Sequence, residues 1–310
     1  MQLFIYTEYD APARDLLHQQ LPPDITPVFR PDLPAGQQQA ALQQADFLLG
    51  NPPAEWFTPT PPRLRFWQID SAGFERYADL RLPCPVANMG DYFAWACAET
   101  IVAGIIAHYR HLPELARLQA EKRWVGAPIR KQLLLLRDQH TVILGAGAIA
   151  LAVRQQLSGF GCPVQLLART NPAAQLHSKK ELQAALPATD LVINCLPGSA
   201  EGFFSAELIQ AMRPGSVYAN VGRGNTTDEP ALLAALQSGH LAGAVLDVTA
   251  TEPLPPDHPF WQMDNVLLTQ HTAGGQPRED EGKVEQFLRN LHWLQNGQEL
   301  ENLVDISRGY

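Results

Sequence analysis

The stretch Gln139–Ala150, with the sequence QHTVILGAGAIA, determines the fold predicted for this chain. Its apolar, partly β-branched run Thr141–Leu144 predicts a strand, and apolar residues recur at helical spacing beyond Ala150. Between the two, Gly145 permits a tight turn and Gly147 lets backbone N–H groups approach a pyrophosphate at the helix N-terminus. This arrangement is typical of a dinucleotide-binding fingerprint, with an ordinary βα connection as the alternative. The cofactor contacts predicted at this turn are Gly145, Gly147, Ala148 and Ile149.

Composition limits the class of protein. The 310 residues suit two domains, and a hydrophobic fraction of 45% allows a sizeable core. A formal net charge of −9 argues against a nucleic-acid partner, because phosphate binding needs a basic surface. The four cysteines form no C-x-x-C pair, and neither a signal-peptide pattern nor a membrane-spanning apolar stretch is present. We therefore expect a cytoplasmic protein with reduced thiols, no membrane partner and no metal site.

Predicted strands alternate with predicted helices along most of the chain, which indicates βαβ units and parallel sheets. Five short strands are predicted between Leu3 and Ala87. The Ala-rich segment Asp91–His111 then predicts one long, largely buried helix. A second series of strands and helices begins at the glycine turn, and the amphipathic segment Arg278–Asn296 predicts a last helix that returns to the first block. The predicted fold class is therefore α/β.

The end of the second strand in this later series bears on the choice of cofactor. An acid about 20 residues after the first glycine commonly binds the ribose 2′-hydroxyl of NAD. Here the strand that ends at Leu167 is followed by Ala168-Arg169-Thr170, without an acid. Arg169 and Thr170 suit a 2′-phosphate, because both can form hydrogen bonds to it. We expect NADP(H) to be preferred; the alternative is an exposed loop arginine and use of NAD(H).

Three polar residues follow strand-like segments of the second block, namely Arg223, Glu252 and His271. Parallel strands point their carboxyl ends to one edge of a sheet, so residues far apart in sequence can converge there. Together they suit hydride transfer to a 2-oxo acid: the arginine binds the carboxylate, the histidine donates a proton, and the glutamate stabilises the imidazolium. The alternative interpretations are that Arg223 is a surface loop residue and that Glu252 is a turn or helix-cap residue.

A series of segments occurs along the chain in a fixed order: SAG at Ser71, AET at Ala98, the GAGAIA turn, NCLPGSAEGFF from Asn194, MRPGSVYANVGRG, DEPALLAAL, GAVLDVTATEPLP and HPFWQMDNVLLTQHTAGG. In this order and with this spacing, the segments resemble one known family, the D-isomer-specific 2-hydroxyacid dehydrogenases. Within it, the NADPH-linked glyoxylate/hydroxypyruvate reductases look most similar, because of the Ala168-Arg169-Thr170 strand end. Three features depart from the family pattern. They are Ala150 in the fingerprint, the amino-acid sequence of Gln119–Leu136, and the first 70 residues, which match the family only in their alternation of strands and helices.

The resemblance implies two Rossmann-like domains separated by an interdomain cleft. Residues 1–90 and 276–310 would form a flavodoxin-like substrate domain, and residues 91–275 a doubly wound dinucleotide-binding domain. The long helix from Asp91 would lie at a homodimer interface.

The resemblance also assigns roles to residues. Arg223, Glu252 and His271 fall on the catalytic positions of the family. The substrate contacts it implies are Ala72, Gly73, Arg223 and His271. Asp247 would meet the nicotinamide carboxamide and Ala273 would lie near the ring, and the remaining implied cofactor contacts are Leu196, Pro197 and Val221.

The implied activity is reduction of a small 2-oxo acid, of the glyoxylate or hydroxypyruvate type, to the D-2-hydroxy acid with NADPH. Two other functions stay open. One is an NAD-linked dehydrogenase of another D-2-hydroxy acid. The other is a non-catalytic, nucleotide-sensing interaction protein of the same fold, although the chain lacks an added tail or basic region for partners.

Overall fold

The computed structural model describes residues 1–308 and divides into two compact units. Unit 1 consists of Met1–Tyr92 and the chain from Gln276 onward, and unit 2 is Phe93–Gly275. The last two residues of the predicted substrate domain, Gly309 and Tyr310, lie outside the described residues. The α-helices of the described residues are α1 (Ala11–Gln20), α2 (Ala35–Gln43), α3 (Ala94–Tyr109), α4 (Leu112–Ala120), α5 (Ala127–Arg130), α6 (Ala148–Ser158), α7 (Lys179–Ala185), α8 (Ala206–Ala211), α9 (Glu229–Gln237) and α10 (Glu279–Gln295).

Unit 1 is built on a five-stranded parallel sheet. Its strands are β1 (Gln2–Ile5), β2 (Thr26–Phe29), β3 (Phe47–Leu49), β4 (Phe66–Gln68) and β5 (Val86–Ala87), in the order β2-β1-β3-β4-β5. Successive residues of β1 point to opposite faces, so Leu3 and Ile5 pack on one side and Phe4 on the other. On the Leu3 side the core is completed by Leu17 of α1 and Phe287 of α10, so the last helix does return to the first block.

Unit 2 is built on a six-stranded parallel sheet. Its strands are β6 (Thr141–Leu144), β7 (Val164–Leu167), β8 (Leu191–Asn194), β9 (Val217–Asn220), β10 (Gly243–Leu246) and β11 (Val266–Leu268), in the order β11-β10-β9-β8-β6-β7. Every residue of β6, β8, β9 and β10 is buried, as expected where helices cover both faces of a parallel sheet. The two parallel sheets confirm the predicted α/β fold class.

The helix predicted over Asp91–His111 is shorter than expected. It spans Ala94–Tyr109 as α3, buries half of its residues and packs against α6. It ends where His111 takes a left-handed backbone conformation, with φ of 53°, and α4 starts at the next residue. The segment Gln119–Leu136, which departs from the family pattern in sequence, contains the end of α4 and all of α5.

All six strands of unit 2 end at the same edge of its sheet, because every strand pair is parallel. The loops after these strands, together with the first two residues of α6, contain all of the predicted cofactor residues, and three of the loops contain the predicted catalytic residues. None of the helices in the described part of the chain is long and apolar enough to span a bilayer.

Candidate active site

The glycine turn between β6 and α6 has the geometry needed for a pyrophosphate. Gly145 has φ of +105°, and its N–H donates to the Leu167 carbonyl at 2.8 Å, which joins the turn to β7. Gly147 and Ala148 are exposed where α6 begins, and among the described residues no side chain caps this helix. The first N–H groups of a helix have no partner within it, so they are available to an anion here. Ala150 is buried in the core of unit 2, in the same cluster as Ile143 of β6.

The loop after β7 lies beside this turn. Asn171 Nδ2 donates to the Ala146 carbonyl at 3.2 Å, and the Ala168 carbonyl is 2.9 Å from His177 Nδ1. Arg169 and Thr170, between these two anchored residues, are exposed. Their donors are therefore accessible to a ligand bound at the glycine turn.

Buried asparagines end two neighbouring strands, and the sequence interpretation did not single them out. Asn194, the last residue of β8, accepts a hydrogen bond from Leu196 N–H at 3.0 Å through Oδ1, and its carbonyl accepts one from Val221 N–H at 3.0 Å. Asn220, the last residue of β9, accepts from Gly222 N–H at 3.0 Å. The available signal was an asparagine directly after an apolar strand, in NCL and NVG. These bonds shape the loops that contain Leu196, which is half-buried, and Pro197, which is exposed.

Arg223 follows β9 and its side chain is half-buried. Its Nη1 donates to the Gly222 carbonyl at 2.8 Å. The next residue, Gly224, packs against the loop after β10 so closely that a Cβ would lie 1.9 Å from the Thr249 carbonyl oxygen. Thr249 N–H in turn donates to Glu252 Oε1 at 3.0 Å, so the arginine loop and the glutamate loop are in direct contact.

His271 and Glu252 form a close pair, with 2.6 Å between His271 Nδ1 and Glu252 Oε2. The histidine side chain is 52% exposed and that of the glutamate 35%. Because Nδ1 bonds to the carboxylate, Nε2 is the nitrogen available to a substrate. The two side chains also line a cavity of about 400 Å³ in unit 2, together with Leu254 and Trp261.

Asp247 shapes the loop that contains His271, a role the sequence did not indicate. Its Oδ1 accepts hydrogen bonds from Thr269 Oγ1 at 2.6 Å, Thr272 N–H at 3.1 Å and Ala273 N–H at 3.2 Å. Its carbonyl accepts from His271 N–H at 2.6 Å. Burial of the side chain raises the pKa of Asp247, and these hydrogen bonds oppose the rise. Ala273 itself is fully buried.

The two predicted substrate residues Ala72 and Gly73 belong to unit 1, whereas Arg223 and His271 belong to unit 2. Ala72 and Gly73 lie in a turn after β4. Asn88 Nδ2 donates to the Ala72 carbonyl at 2.7 Å, and Ser71 Oγ donates to the Gly73 carbonyl at 2.7 Å. Their carbonyls are thus satisfied within the turn. Over residues 1–308 no three His, Cys or acidic side chains are grouped so as to hold a metal ion.

A family model described as the NAD binding domain of D-isomer specific 2-hydroxyacid dehydrogenases matches residues 102–273, more than half of the chain. The chain belongs to this family. It is therefore an NAD(P)-dependent oxidoreductase of the D-2-hydroxyacid dehydrogenase type, as the sequence predicted. Family membership also makes a small 2-hydroxy acid, or the matching 2-oxo acid, the class of substrate.

Individual relatives of this dehydrogenase agree with the family assignment. The chain is 32% identical over 282 residues to an uncharacterized protein in the proB 3′ region of Corynebacterium melassecola, covering 87% of this chain and 91% of that protein. It is 32% identical over 219 residues to glyoxylate/hydroxypyruvate reductase A of Yersinia enterocolitica, covering 68% of each. A D-isomer specific 2-hydroxyacid dehydrogenase from Xanthobacter autotrophicus, solved with NADPH and MES, is similar in structure with a TM-score of 0.83. That protein is 27% identical, and the match covers 100% of this chain and 99% of the other.

Proposed function

We propose that this dehydrogenase reduces a small 2-oxo acid of the glyoxylate or hydroxypyruvate type to the D-2-hydroxy acid, with NADPH as the hydride donor. The observation that carries the proposal is the 2.6 Å pair of His271 Nδ1 and Glu252 Oε2 in the loops after β11 and β10. A histidine oriented by a carboxylate is suited to proton transfer in carbonyl reduction. Similarity to reductases of glyoxylate and hydroxypyruvate supports the choice of substrate.

His271 donates a proton from Nε2 to the carbonyl oxygen as that oxygen becomes an alkoxide. Glu252 accepts the hydrogen bond from Nδ1–H and so orients the ring with Nε2, the nitrogen that donates the proton, free for the substrate. Thr249 N–H holds the other carboxylate oxygen of Glu252, so the carboxylate is fixed from both sides. In the reverse direction the neutral imidazole removes the hydroxyl proton.

Arg223 binds the carboxylate of the 2-oxo acid and polarises its carbonyl, because a guanidinium suits a carboxylate in charge and in geometry. The backbone at Ala72 and Gly73 supplies further contacts to the carboxylate. A short, charged substrate is held through these groups and needs little apolar contact.

The cofactor contacts follow the loops at the ends of the strands. Arg169 and Thr170 bind the 2′-phosphate of NADP(H), and the exposed backbone at the glycine turn binds the pyrophosphate. Asp247 would bind the nicotinamide carboxamide and Ala273 would lie near the ring. The bound nicotinamide would supply the hydride. The full set of proposed contacts is Gly145, Gly147, Ala148, Ile149, Arg169, Thr170, Leu196, Pro197, Val221, Asp247 and Ala273.

We assign residues 91–275 to cofactor binding and residues 1–90 with 276–310 to the substrate domain. We also place a homodimer interface in the chain after α3. Half of the residues of α3 are buried within unit 2, and large apolar side chains of the next segment are exposed. They are Leu112, Leu115, Trp124, Val125, Leu134 and Leu135.

A panel of substrates and both cofactors tests the proposal. We expect absorbance at the nicotinamide band to fall with NADPH and glyoxylate or hydroxypyruvate, faster than with pyruvate or phenylpyruvate. The Arg169→Ala variant should raise the KM for NADPH about 10-fold, since a hydrogen bond to a charged group contributes roughly 1.5–3 kcal/mol, and leave the KM for NADH unchanged. The matched control is Arg137→Ala, which removes a 72% exposed arginine before β6.

Equal kcat/KM for NADPH and NADH in the unaltered enzyme would overturn the NADP(H) assignment. Faster turnover of pyruvate or phenylpyruvate than of glyoxylate and hydroxypyruvate would overturn the assignment of substrate.

A further inference from the structure

Five polar side chains form a buried cluster beneath the loops that follow β8 and β9. We call it the asparagine–threonine cluster; its members are Asn194, Tyr218, Asn220, Thr226 and Thr227, and each is at most 8% exposed. Within residues 1–308, the buried side-chain atoms that lack a hydrogen-bond partner belong to other residues. A fully satisfied buried network of this kind is rigid, and one unsatisfied member would be costly.

The two asparagines have the same relation to the strands they end. Each accepts, through Oδ1, a hydrogen bond from the N–H group two residues later, and each directs Nδ2 into the cluster. Asn194 Nδ2 donates to Tyr218 Oη and Thr226 Oγ1, both at 2.8 Å. Asn220 Nδ2 donates to Thr227 Oγ1 at 3.3 Å. The hydroxyls of Tyr218 and Thr227 are 2.5 Å apart and close the network.

Besides the Gly222 N–H bonded by Asn220, the cluster contacts the arginine loop at the carbonyl oxygen of Arg223. This oxygen accepts from Thr226 Oγ1 at 2.6 Å and from Asn220 Nδ2 at 3.2 Å. Two side-chain hydrogen bonds fix the direction of this carbonyl, which restricts the main chain next to the Arg223 side chain. On the other side, Gly224 is fixed against Thr249. The main chain at Arg223 is therefore restrained by the hydrogen bonds of the cluster and by the packing of Gly224 against Thr249.

We propose that the asparagine–threonine cluster positions Arg223 for the substrate, with Thr226 as the positioning residue that acts most directly. The inference rests on the proposed function, in which Arg223 binds the substrate carboxylate. Thr226 Oγ1 accepts from Asn194 and donates to Arg223, so it transmits the orientation of β8 to the arginine loop. The bond from Leu196 N–H to Asn194 is independent of this hydroxyl. Removal of the hydroxyl should disturb the arginine loop and leave the loop of Leu196 in place.

The test uses Thr226→Val, which removes the hydroxyl at nearly constant volume, with glyoxylate as the substrate probe. We expect kcat/KM to fall by up to roughly 100-fold, the loss typical of a displacement of about 1 Å at a substrate-binding group. The dissociation constant of NADPH, measured by fluorescence, should stay within about twofold of its original value. Thr226→Ser keeps the hydroxyl and should restore most of the activity.

Two further variants separate positioning from a general loss of stability. Thr189→Val removes an equally buried threonine hydroxyl that donates to the Ala185 carbonyl at 3.0 Å, and it should leave kcat/KM unchanged. In an Arg223→Ala background Thr226→Val should cause no additional loss, because the residue it positions is already absent.

The positioning role would be overturned if Thr226→Val lowered kcat/KM by the same factor in the unaltered enzyme and in the Arg223→Ala variant. It would also be overturned if Thr189→Val lowered kcat/KM as much as Thr226→Val does. If Arg223→Ala greatly lowers kcat/KM and Thr226→Val does not, the positioning inference fails and the proposed function stands. If Arg223→Ala has no effect, both fail.

Discussion

His271 occupies a backbone conformation that most residues avoid. Its φ is 55°, and that of the preceding Gln270 is 54°. The left-handed region costs an ordinary L-residue roughly 1–2 kcal/mol. Asp247 offsets this cost, since its carbonyl accepts from His271 N–H and its carboxylate accepts three hydrogen bonds from the same loop. Strain of this kind often marks functional sites, and here it sets the direction of the imidazole.

This conformation dictates which substitution tests the proton donor. Asparagine tolerates the left-handed region better than most residues, so His271→Asn removes the imidazole and keeps the loop. We expect kcat for 2-oxo acid reduction to fall by about 10²- to 10⁴-fold, the usual contribution of a general acid. The melting temperature should change little, because the side chain is largely exposed.

The matched control for this substitution is His18→Asn on α1, whose side chain is also exposed. It should retain full activity. Retention of activity by His271→Asn would mean that another group donates the proton.

At the scale of single elements, helix α3 contains a titratable side chain, His108, that is largely buried against its neighbours. Burial of His108, with a smaller contribution from the nearby His111, lowers the pKa of this imidazole to about 4. Below its ordinary value of 6.5 the unfolded chain therefore binds a proton that the folded chain does not, and stability falls as the pH falls from 6.5 towards 4. The loss attributable to this residue is about 2 kcal/mol at pH 5.

The measurement is the midpoint of urea unfolding at pH 7 and at pH 5. Replacement of His108 by glutamine removes the titration, so the variant should lose less stability between the two pH values than the original protein. The exposed residue His292, replaced in the same way, should leave the pH dependence as it was. An unchanged dependence in the His108 variant would contradict the prediction.

Local sequence patterns predict the helices and the residues at strand ends, but they do not predict the contacts between neighbouring strand-end loops. The boundaries of α3 and α10 lie within three residues of expectation, because the Ala-rich composition of the first and the amphipathic spacing of the second are local signals. Arg223, Glu252 and His271 are likewise proposed from a local pattern, because each follows a strand, β9, β10 or β11. The contacts of Asn194 with Thr226 and of Gly224 with Thr249 are different. They depend on β9 lying between β8 and β10, and pairing of that kind has no local signature in the chain.

At the scale of the whole molecule, the exposed apolar residues after α3 predict a homodimer. Trp124 is 97% exposed, and Leu112 and Leu115 of α4 are also exposed. Such a concentration of apolar surface is typical of a protein–protein interface. Light scattering coupled to size exclusion should therefore give twice the chain mass of 34.2 kDa.

The combined variant Leu115→Glu with Trp124→Ala should shift the enzyme towards the monomer. The control, Phe160→Glu, changes an exposed aromatic residue just after α6 and should leave the dimer intact. A monomeric mass for the original protein, or a dimer unaffected by the combined variant, would exclude this surface as the interface.

The contact between Gly224 and the Thr249 carbonyl has a consequence for directed evolution of the substrate range. Any side chain at position 224 would collide with main chain rather than with a movable side chain, so nearly every member of a library randomised there would be inactive. Leu254 and Trp261, which line the cavity beside His271, offer side-chain volume to vary without such a collision. A compact library for larger 2-oxo acids would therefore randomise these two positions and keep Arg223-Gly224 constant.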